Sequence, residues 1–451
     1  MTLPGRACTL ALSALTLLAA PGAAQAFCGF YVAKADAQLF NQASQVVLVR
    51  DGERTVLTMS NDYKGELTDF AVVVPVPTVL TRQQIHVGDR KYIERLDAYS
   101  APRLVEYHDS DPCEVRELAK RKSAMAPAGA APSKVSAERS RALGVTVEAQ
   151  YTIGEYDIVI LSATQSDGLE TWLRESGYKI PGRSSRALQP YIKQDMKFFV
   201  AKVNLENQKA TGFTYLRPLQ MAYESKKFML PIRLGMANAE GPQDLVIYTL
   251  TRKGRVESTN YKTVKMPSNV EVPLFVKDEF GAFYKAVFDK THEQQGRRAL
   301  LTEYFWDMGW CDPCAADPLS PEELRAVGVF WLDDAQQGPQ RGRFGGGASP
   351  VVLTRLHVRY DSEHFPEDLV FQETGDRENF QGRYILRYPW RGEARCEQAK
   401  AYLQRLEDRH KLQAATLAEL TGWDMGTIRE KMGADAPKGS DGKWYDKLWK
   451  Q

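Results

Sequence analysis

Residues 45–60, QVVLVRDGERTVLTMS, predict a β-hairpin and indicate the class of the fold. Gln45–Arg50 is an apolar segment with the composition of a β-strand. Asp51-Gly52 is a favoured two-residue hairpin turn, because both central residues of such a turn need positive φ. The chain then returns through residues with strand-like alternation. The first folded part of the chain is therefore predicted to be a β-meander.

Further strands are expected along most of the chain. Phe70–Val74 is an apolar segment that predicts a strand buried on both faces, ended by Pro75 and Pro77 because proline cannot donate to a ladder. Leu245–Thr251 and Val256–Val264 predict a second hairpin across a Lys-Gly turn. The other predicted strands are 145–150, 156–161, 197–205, 353–361, 369–372 and 383–390.

Helical patterns are strongest near the C-terminus. Glu393–Gln413 carries apolar residues at helical spacing with charges on its other face. Two shorter helices are expected at Ala415–Leu420 and Asp424–Met432, separated at Gly422. The remaining predicted helices are 93–107, which Pro102 should kink or split, 168–177 and 187–196. The fold class is therefore α+β, with an antiparallel β-sheet-rich body and a helical C-terminal segment.

The composition divides the chain into segments. Residues 117–142 are rich in Ala, Pro, Ser, Lys and Arg and include no aromatic residue. Such a segment buries too little apolar surface to offset the entropy of ordering. The predicted segments are 1–26, a signal peptide; 27–116, the β-meander-containing N-terminal part of the main domain; 117–142, a disordered insert; 143–390, the mixed α/β remainder of that domain; 391–432, a helical C-terminal cap; and 433–451, a flexible aromatic tail.

The N-terminus has the pattern of a secretory signal. Arg6 precedes the apolar run Ala7–Ala20, and Ala24-Gln25-Ala26 supplies small residues for cleavage after Ala26. The run is shorter than the roughly 20 residues that cross about 30 Å of hydrocarbon. Phe27 before Cys28 does not fit a lipoprotein signal. We therefore expect a periplasmic or secreted protein without a transmembrane anchor after cleavage.

The charge distribution argues against a nucleic-acid partner. The 451-residue chain has a formal net charge of +2, and its basic residues are interleaved with acids. A nucleic-acid-binding protein would concentrate basic residues on one face. The partner is unknown, and an envelope protein is one possibility.

Cleavage would leave five cysteines, Cys28, Cys113, Cys311, Cys314 and Cys396. Export favours disulfides, and an odd number leaves one cysteine unpaired or bonded between chains. The first expected bridge joins Cys28 to Cys113. The second joins Cys396 to Cys314 or Cys311.

Trp310-Cys311-Asp312-Pro313-Cys314 resembles a thioredoxin-type redox motif, in which a cysteine at a helix N-terminus attacks disulfides. However, Asp317-Pro318 interrupts the segment that should continue as a helix. Ser320-Pro321 is instead a fresh helix start, because serine caps helices and proline suits the first position. Cys311 and Cys314 are therefore weak catalytic candidates, and a structural disulfide is favoured over redox catalysis and over zinc bound with His410 or His357.

No cofactor or metal is expected. The six histidines have no recognised metal-ligand spacing, so hydrogen-bonded or solvated histidines are the favoured interpretation.

Near the C-terminus, Trp444, Tyr445, Leu448 and Trp449 share one helical face. This segment could contact a membrane or a partner, but docking on the protein's own surface is favoured.

Several separated motifs together resemble one bacterial family, catalogued as domain of unknown function 2330. They are Cys28–Val32, Phe70–Thr78, Ile85–Gly88, Leu96–Tyr107, Trp310–Cys314 and Leu420–Trp423. The resemblance implies an exported bacterial protein with no assigned activity and no catalytic residues to carry over.

Two classes of function remain open from the sequence. The first is a non-catalytic binding or envelope-structural protein stabilised by disulfides, which is favoured because known site signatures are absent. The second is a thiol–disulfide oxidoreductase that uses Cys311 and Cys314. Reduction of insulin by the purified protein would separate them.

Overall fold

The computed structural model describes residues 30–33, 40–64, 70–114, 145–176, 184–211, 216–237, 241–310, 317–332 and 350–435. The strands are β1 (Phe30–Ala33), β2 (Phe40–Asp51), β3 (Arg54–Lys64), β4 (Phe70–Val76), β5 (Ile85–Val87), β6 (Arg103–His108), β7 (Val145–Ile153), β8 (Tyr156–Ala163), β9 (Lys197–Val203), β10 (Leu219–Glu224), β11 (Met229–Leu230), β12 (Gln243–Thr251), β13 (Val256–Ser258), β14 (Lys262–Lys265), β15 (Val270–Glu271), β16 (Ala299–Asp307), β17 (Val352–Tyr360), β18 (Leu369–Glu373), β19 (Phe380–Gln381) and β20 (Arg383–Tyr388). The helices are α1 (Arg90–Ser100), α2 (Ser166–Glu175), α3 (Ser184–Lys193), α4 (Leu205–Thr211), α5 (Arg233–Ala237), α6 (Phe280–Gln294), α7 (Pro321–Ala326), α8 (Glu397–Thr421) and α9 (Met425–Met432). The predicted α+β class, rich in antiparallel sheet with helices at the C-terminus, is confirmed.

Two sheets pack face to face and form the largest core. The larger sheet has the order β14-β16-β17-β12-β2-β3-β10-β5, with β19 beside β16, and the smaller has the order β1-β4-β9-β8-β7. Side chains from the inner face of each sheet meet in one buried cluster, which includes Leu48, Ile247, Val74 and Ile160. The alternation of side chains along each strand leaves a second apolar face on each sheet for helices to cover.

The predicted hairpin is confirmed as β2 and β3. The two strands pair antiparallel, with Asp51 opposite Arg54 at the closed end. Gly52 in this turn has φ +59°, a backbone conformation that glycine adopts without steric cost. The signal for this hairpin is local, since the turn and both strands lie within a short stretch of sequence.

The second predicted hairpin is wrong. β12 pairs parallel with β2 on one side and antiparallel with β17 on the other, while β13 pairs with β18. Both edges of β12 are therefore occupied by distant strands. The chain turns away at Gly254, where the carbonyl oxygens of Thr374 and Asp376 approach so closely that a side chain would not fit.

Helices cover the outer faces of both sheets. α2 and α3 pack on the smaller sheet through Leu169, Leu173 and Leu188. On the larger sheet, one apolar cluster holds α1 and α7 together with Trp331. A separate cluster holds α6, α8 and α9 against β16 and β20. The order of layers is helix, sheet, sheet, helix.

Two differences between predicted and observed boundaries occur next to prolines. The expected helix 93–107 ends at Ser100, because Ala101 precedes Pro102 and takes an extended conformation. Arg103–His108 is instead strand β6, parallel to β20. Strand β4 continues through Pro75 to Val76, and β1 pairs only as far as Val73, so the proline lies past the end of that neighbour.

The C-terminal segment is one long helix followed by a short one. α8 continues through residues 415–420, where a separate helix was expected, because no glycine or proline interrupts it there. It ends at Gly422, whose φ is +73°. α9 follows, with the Asp424 side chain accepting a hydrogen bond from the amide of Thr427. Of the helices described, none combines the length and the apolar character needed to span a bilayer.

Candidate functional site

A row of alternating charges lies on the outer face of the larger sheet, and we refer to it as the charged row. Arg355, His357 and Arg359 alternate along β17 and therefore point to the same face. Acidic side chains from neighbouring elements lie between these cations. The row consists of Asp97 (α1), Arg355, Glu303 (β16), His357, Asp244 (β12), Arg359 and Asp289 (α6).

Glu303 is the centre of the row and is only 1% exposed. Its Oε2 lies 2.6 Å from Arg355 Nε, and its Oε1 lies 2.8 Å from His357 Nδ1. The Tyr284 hydroxyl donates to the same carboxylate. The register between β16 and β17 shifts between Thr302 and Tyr304, so Glu303 occupies a bulge. Bulges re-aim side chains, and this one places the carboxylate between two cations.

One end of the row approaches solvent at Asp97. Arg355 Nη1 lies 2.6 Å from Asp97 Oδ1, and the Tyr248 hydroxyl donates to the same oxygen over 2.7 Å. Gln45 Nε2 donates in turn to the Tyr248 oxygen at 3.1 Å. The guanidinium of Arg355 also lies 5.4 Å from the centre of the Tyr248 ring. This end is thus held by α1 and by the two parallel central strands.

The other end is a paired cluster around Arg359. Its Nε and Nη2 donate to the two oxygens of Asp244 at 2.8 and 2.9 Å, and its Nη1 contacts Asp289 at 2.5 Å. Asp244 Oδ1 is also 3.6 Å from His357 Nε2. The ring of Phe288 stacks on His357 with centroids 4.0 Å apart. An aromatic ring and two carboxylates therefore enclose the imidazole.

The electrostatics of the row keep His357, Glu303 and Asp244 ionised. Burial alone would lower the pKa of His357, but the Glu303 and Asp244 carboxylates outweigh burial and raise that pKa to about 9. Burial would raise the pKa of Glu303, but His357 and Arg355 lower it to about 2. The pKa of Asp244 is also about 2, because hydrogen bonds from His357 and Arg359 outweigh burial. At neutral pH the imidazole is an imidazolium and cannot act as a general base.

A second histidine beside the row behaves in the opposite way. Burial, assisted by the positive charge of Arg359, lowers the pKa of His292 to about 4. Its Nδ1 has no hydrogen-bond partner among the described residues, and the same holds for the buried hydroxyl of Tyr384. Phe288 lies between the two histidines and stacks on both. The two imidazoles thus differ in charge at neutral pH.

The structure joins Cys113 to Cys396 in a disulfide. This corrects both expected pairings, because neither cysteine is left for Cys28, Cys311 or Cys314. The bridge links the segment after β6 to the residue before α8, which are neighbours only in the folded chain. Cys28, Cys311 and Cys314 lie outside the described residues, as do the predicted insert 117–142 and nearly all of the tail 433–451.

The surroundings of the Cys311–Cys314 motif are described on both sides. Trp310 is 58% exposed, and its carbonyl oxygen accepts a hydrogen bond from Trp306 Nε1 at 3.1 Å. After the motif, α7 begins at Pro321 with a capping box between Ser320 and Glu323. The helix that follows Cys314 therefore starts at its own cap, as the sequence predicts.

Comparison with protein families identifies a matching family. A family described as uncharacterized and conserved in bacteria, DUF2330, matches residues 22–372. The chain belongs to this family. The match to DUF2330 includes Glu303, Arg355 and His357 and ends before Cys396 and α8. Comparisons with curated proteins and with solved structures give no match.

The sequence interpretation missed the charged row. A sign of it is present, because three cations alternate with apolar residues in a segment that was predicted as a strand. Their acidic partners come from β12, β16, α1 and α6, which are far apart in sequence. Local patterns do not show such pairings. His357 is hydrogen-bonded, as the sequence interpretation expected of the histidines, whereas His292 is buried and its Nδ1 has no partner among the described residues.

Among the described residues, no group of three or more histidine, cysteine or acidic side chains could hold a metal ion. Every acid of the charged row is engaged by a cation of the row. The arrangement can hold the sheet and its covering helices in a fixed relation. It offers no unpaired nucleophile or base among its seven members.

Proposed function

We propose that this DUF2330 protein is an exported, disulfide-stabilised protein with a non-catalytic role, either binding an envelope partner or supporting envelope structure. The observation that carries the proposal is the Cys113–Cys396 disulfide, which joins residues 283 positions apart. Disulfides persist in oxidising compartments and are rare in the bacterial cytosol. The signal-like N-terminus, with cleavage after Ala26, points to the same compartment.

The charged row supports the non-catalytic part of the proposal. Catalytic acids and bases usually have a pKa near the working pH. Here the pKa of His357 is about 9 and that of Glu303 is about 2, so neither group exchanges a proton readily near neutrality. Buried ion pairs of this kind fix the relation between elements, and a rigid scaffold suits a binding or structural protein.

The test uses protein purified from its native host without reductant. Its N-terminus should be Phe27, and peptide mapping without reduction should recover a peptide pair linked by Cys113 and Cys396. Protein that retains Met1, is found in the cytoplasm and has both cysteines free would contradict the proposal.

A thiol–disulfide oxidoreductase using Cys311 and Cys314 is the alternative. Its one favourable observation is the exposure of Trp310 directly before the motif, because a redox dithiol must be accessible. The purified chain and its Cys311→Ser variant should then differ in the rate of insulin reduction. Equal rates, at the level of a control without protein, would leave the non-catalytic proposal standing.

A further inference from the structure

We propose that the Cys113–Cys396 disulfide is a site of thiol–disulfide exchange with dithiol reductants, and that its reduction releases the N-terminal half of α8 while the rest of the fold stays intact. This inference stands on the geometry around the bridge and does not depend on where the protein is located. It concerns a pair of cysteines separate from the Cys311–Cys314 motif.

The first step of the argument is access. Cys113 is exposed, and Cys396 is half-buried at the residue that precedes α8. The neighbours Glu114, Arg395 and Glu397 are also exposed. Exchange begins with attack by a thiolate on a disulfide sulfur, so it requires an open approach to one sulfur. Cys113 provides that approach.

The second step is the leaving group. Cys396 is the N-cap residue of a helix 25 residues long, and its side chain makes no capping hydrogen bond. The free amides and partial positive charge at a helix N-terminus stabilise a thiolate. The carboxylate of Glu397, which would oppose this effect, is paired with Lys400 at 2.6 Å. Attack at Cys113 therefore expels the better-stabilised thiolate.

The electron balance is that of ordinary exchange. A thiolate of the dithiol forms a bond to Cys113 Sγ, the bridge breaks, and its electron pair leaves on Cys396 Sγ. The second thiol of the reductant then attacks the mixed disulfide and releases Cys113. The reductant loses two electrons and two protons and becomes a disulfide, while both cysteines become thiols.

The third step is what the bridge holds in place. Within residues 397–412 of α8, Ala399 is the one fully buried side chain, and Leu403 and Leu412 are 44% and 63% exposed. From Gln413 onward the helix enters the apolar cluster with α6 and α9 through Ala414 and Leu417. The two halves of α8 therefore differ sharply in how much apolar surface they bury.

Besides the bridge, Asp109 anchors the first half. The Tyr402 hydroxyl donates to Asp109 Oδ2 at 2.7 Å, and Arg409 Nη2 lies 2.8 Å from the same oxygen. Tyr402 also accepts a hydrogen bond from the amide of Trp390 at 2.9 Å. These contacts are partly buried, with the Arg409 and Asp109 side chains 19% and 13% exposed, but they are polar and bury little apolar surface. Segments that bury little apolar surface open locally at low free-energy cost, so loss of the bridge should free this half.

The experiment uses the full chain in its oxidised form, with dithiothreitol as the dithiol and no denaturant. Alkylation and peptide mapping should show Cys113 and Cys396 becoming free thiols while hydrogen exchange in the central strands β2, β12 and β17 stays unchanged. Hydrogen exchange should accelerate about tenfold or more in residues 397–412 and remain unchanged in 413–421. A Cys311→Ser, Cys314→Ser variant is the matched control and should give the same result, because the responding cysteines are elsewhere.

Two results would overturn the proposal. The first is a bridge that dithiothreitol reduces only after denaturant unfolds the protein. The second is complete reduction of the bridge with no change in the hydrogen-exchange rates of residues 397–412. Glutathione tests the direction of attack, since its mixed disulfide should form on Cys113, and an adduct mainly on Cys396 would contradict the assigned leaving group.

Discussion

Glu303 shows how a single buried residue can organise several elements. Its carboxylate receives Arg355, His357 and the Tyr284 hydroxyl, which come from one neighbouring strand and one covering helix. Taking charges out of water is costly, and their mutual attraction repays the cost only when each keeps its partners. Removal of one member should therefore cost far more than removal of an exposed ion pair.

We expect Glu303→Gln to lower the free energy of unfolding by about 3–5 kcal/mol, because Arg355 and His357 lose a buried counter-charge. Urea denaturation followed by tryptophan fluorescence measures the change. Glu224→Gln is the matched control, since Glu224 pairs with Arg54 at 3.3 Å and both side chains are 57% exposed. That variant should change stability by less than about 1 kcal/mol. Equal losses in the two variants would show that the charged row has no special role.

The two histidines near Phe288 should give opposite pH dependences. The pKa of His357 is about 9 in the folded chain, above its ordinary value of 6.5, so its stabilising effect is complete below pH 6.5 and lost as the pH rises to about 9. The pKa of His292 is about 4 in the folded chain, so between pH 6.5 and 4 only the unfolded chain binds a proton at this residue. The free energy of unfolding therefore falls as the pH is lowered through this range.

Denaturation between pH 4 and 9.5 tests both histidines. The wild-type chain should lose stability on both sides of about pH 6.5, by about 3 kcal/mol on the alkaline side. His357→Gln should remove the alkaline decline and keep the acid one. A variant that declines between pH 6.5 and 9 as steeply as the wild type would mean that His357 is not the titrating group.

At the scale of elements, the sequence predicted local features and missed distant ones. The β2–β3 hairpin was found because its turn and both strands are contiguous in sequence. The prediction of a hairpin after β12 was wrong because β2 and β17 pair with the two edges of β12. No local sequence pattern shows which strands will pair with β12. β6 was assigned to a helix because its apolar residues fit either period, and pairing with β20 decides between them.

The same contrast applies to the candidate site. Cys113 and Cys396 were singled out from cysteine counting and export, but the pairing with each other requires the fold to bring β6 and α8 together. The Ser320 helix start was predicted correctly, because a cap is encoded within four residues. The charged row draws on five elements, so its assembly could not be predicted from one sequence.

The end of α8 offers a test at this scale. Gly422 has φ +73°, and a side chain there would meet no neighbour, so any cost of Gly422→Ala arises from the backbone conformation. We expect a loss of about 1 kcal/mol in the free energy of unfolding. Gly281→Ala, within α6 and equally free of neighbours, should be neutral or slightly stabilising. Chemical denaturation compares the two, and equal effects would argue against a conformational cost at Gly422.

At the scale of the whole molecule, the disulfide closes a loop that contains most of the described chain. A cross-link of this kind stabilises mainly by limiting the unfolded state. We expect the Cys113→Ser, Cys396→Ser variant to unfold with a free energy lower by about 2–4 kcal/mol while its folded core remains native. Calorimetry and near-ultraviolet circular dichroism measure these two properties. An unchanged melting temperature would contradict the expected contribution of the bridge.

The parallel pairing of β2 with β12 also bears on how the chain is made. Leu245 lies opposite Ser44, so the centre of the larger sheet joins segments separated by about 200 residues. A chain that emerges N-terminus first, from the ribosome or from an export channel, presents β2 and β3 well before β12. Until β12 arrives, the unpaired backbone of β2 can bind a strand of another chain. Fragments that end before residue 240 should therefore aggregate more readily than the full chain, and sedimentation of the purified fragments would show the difference.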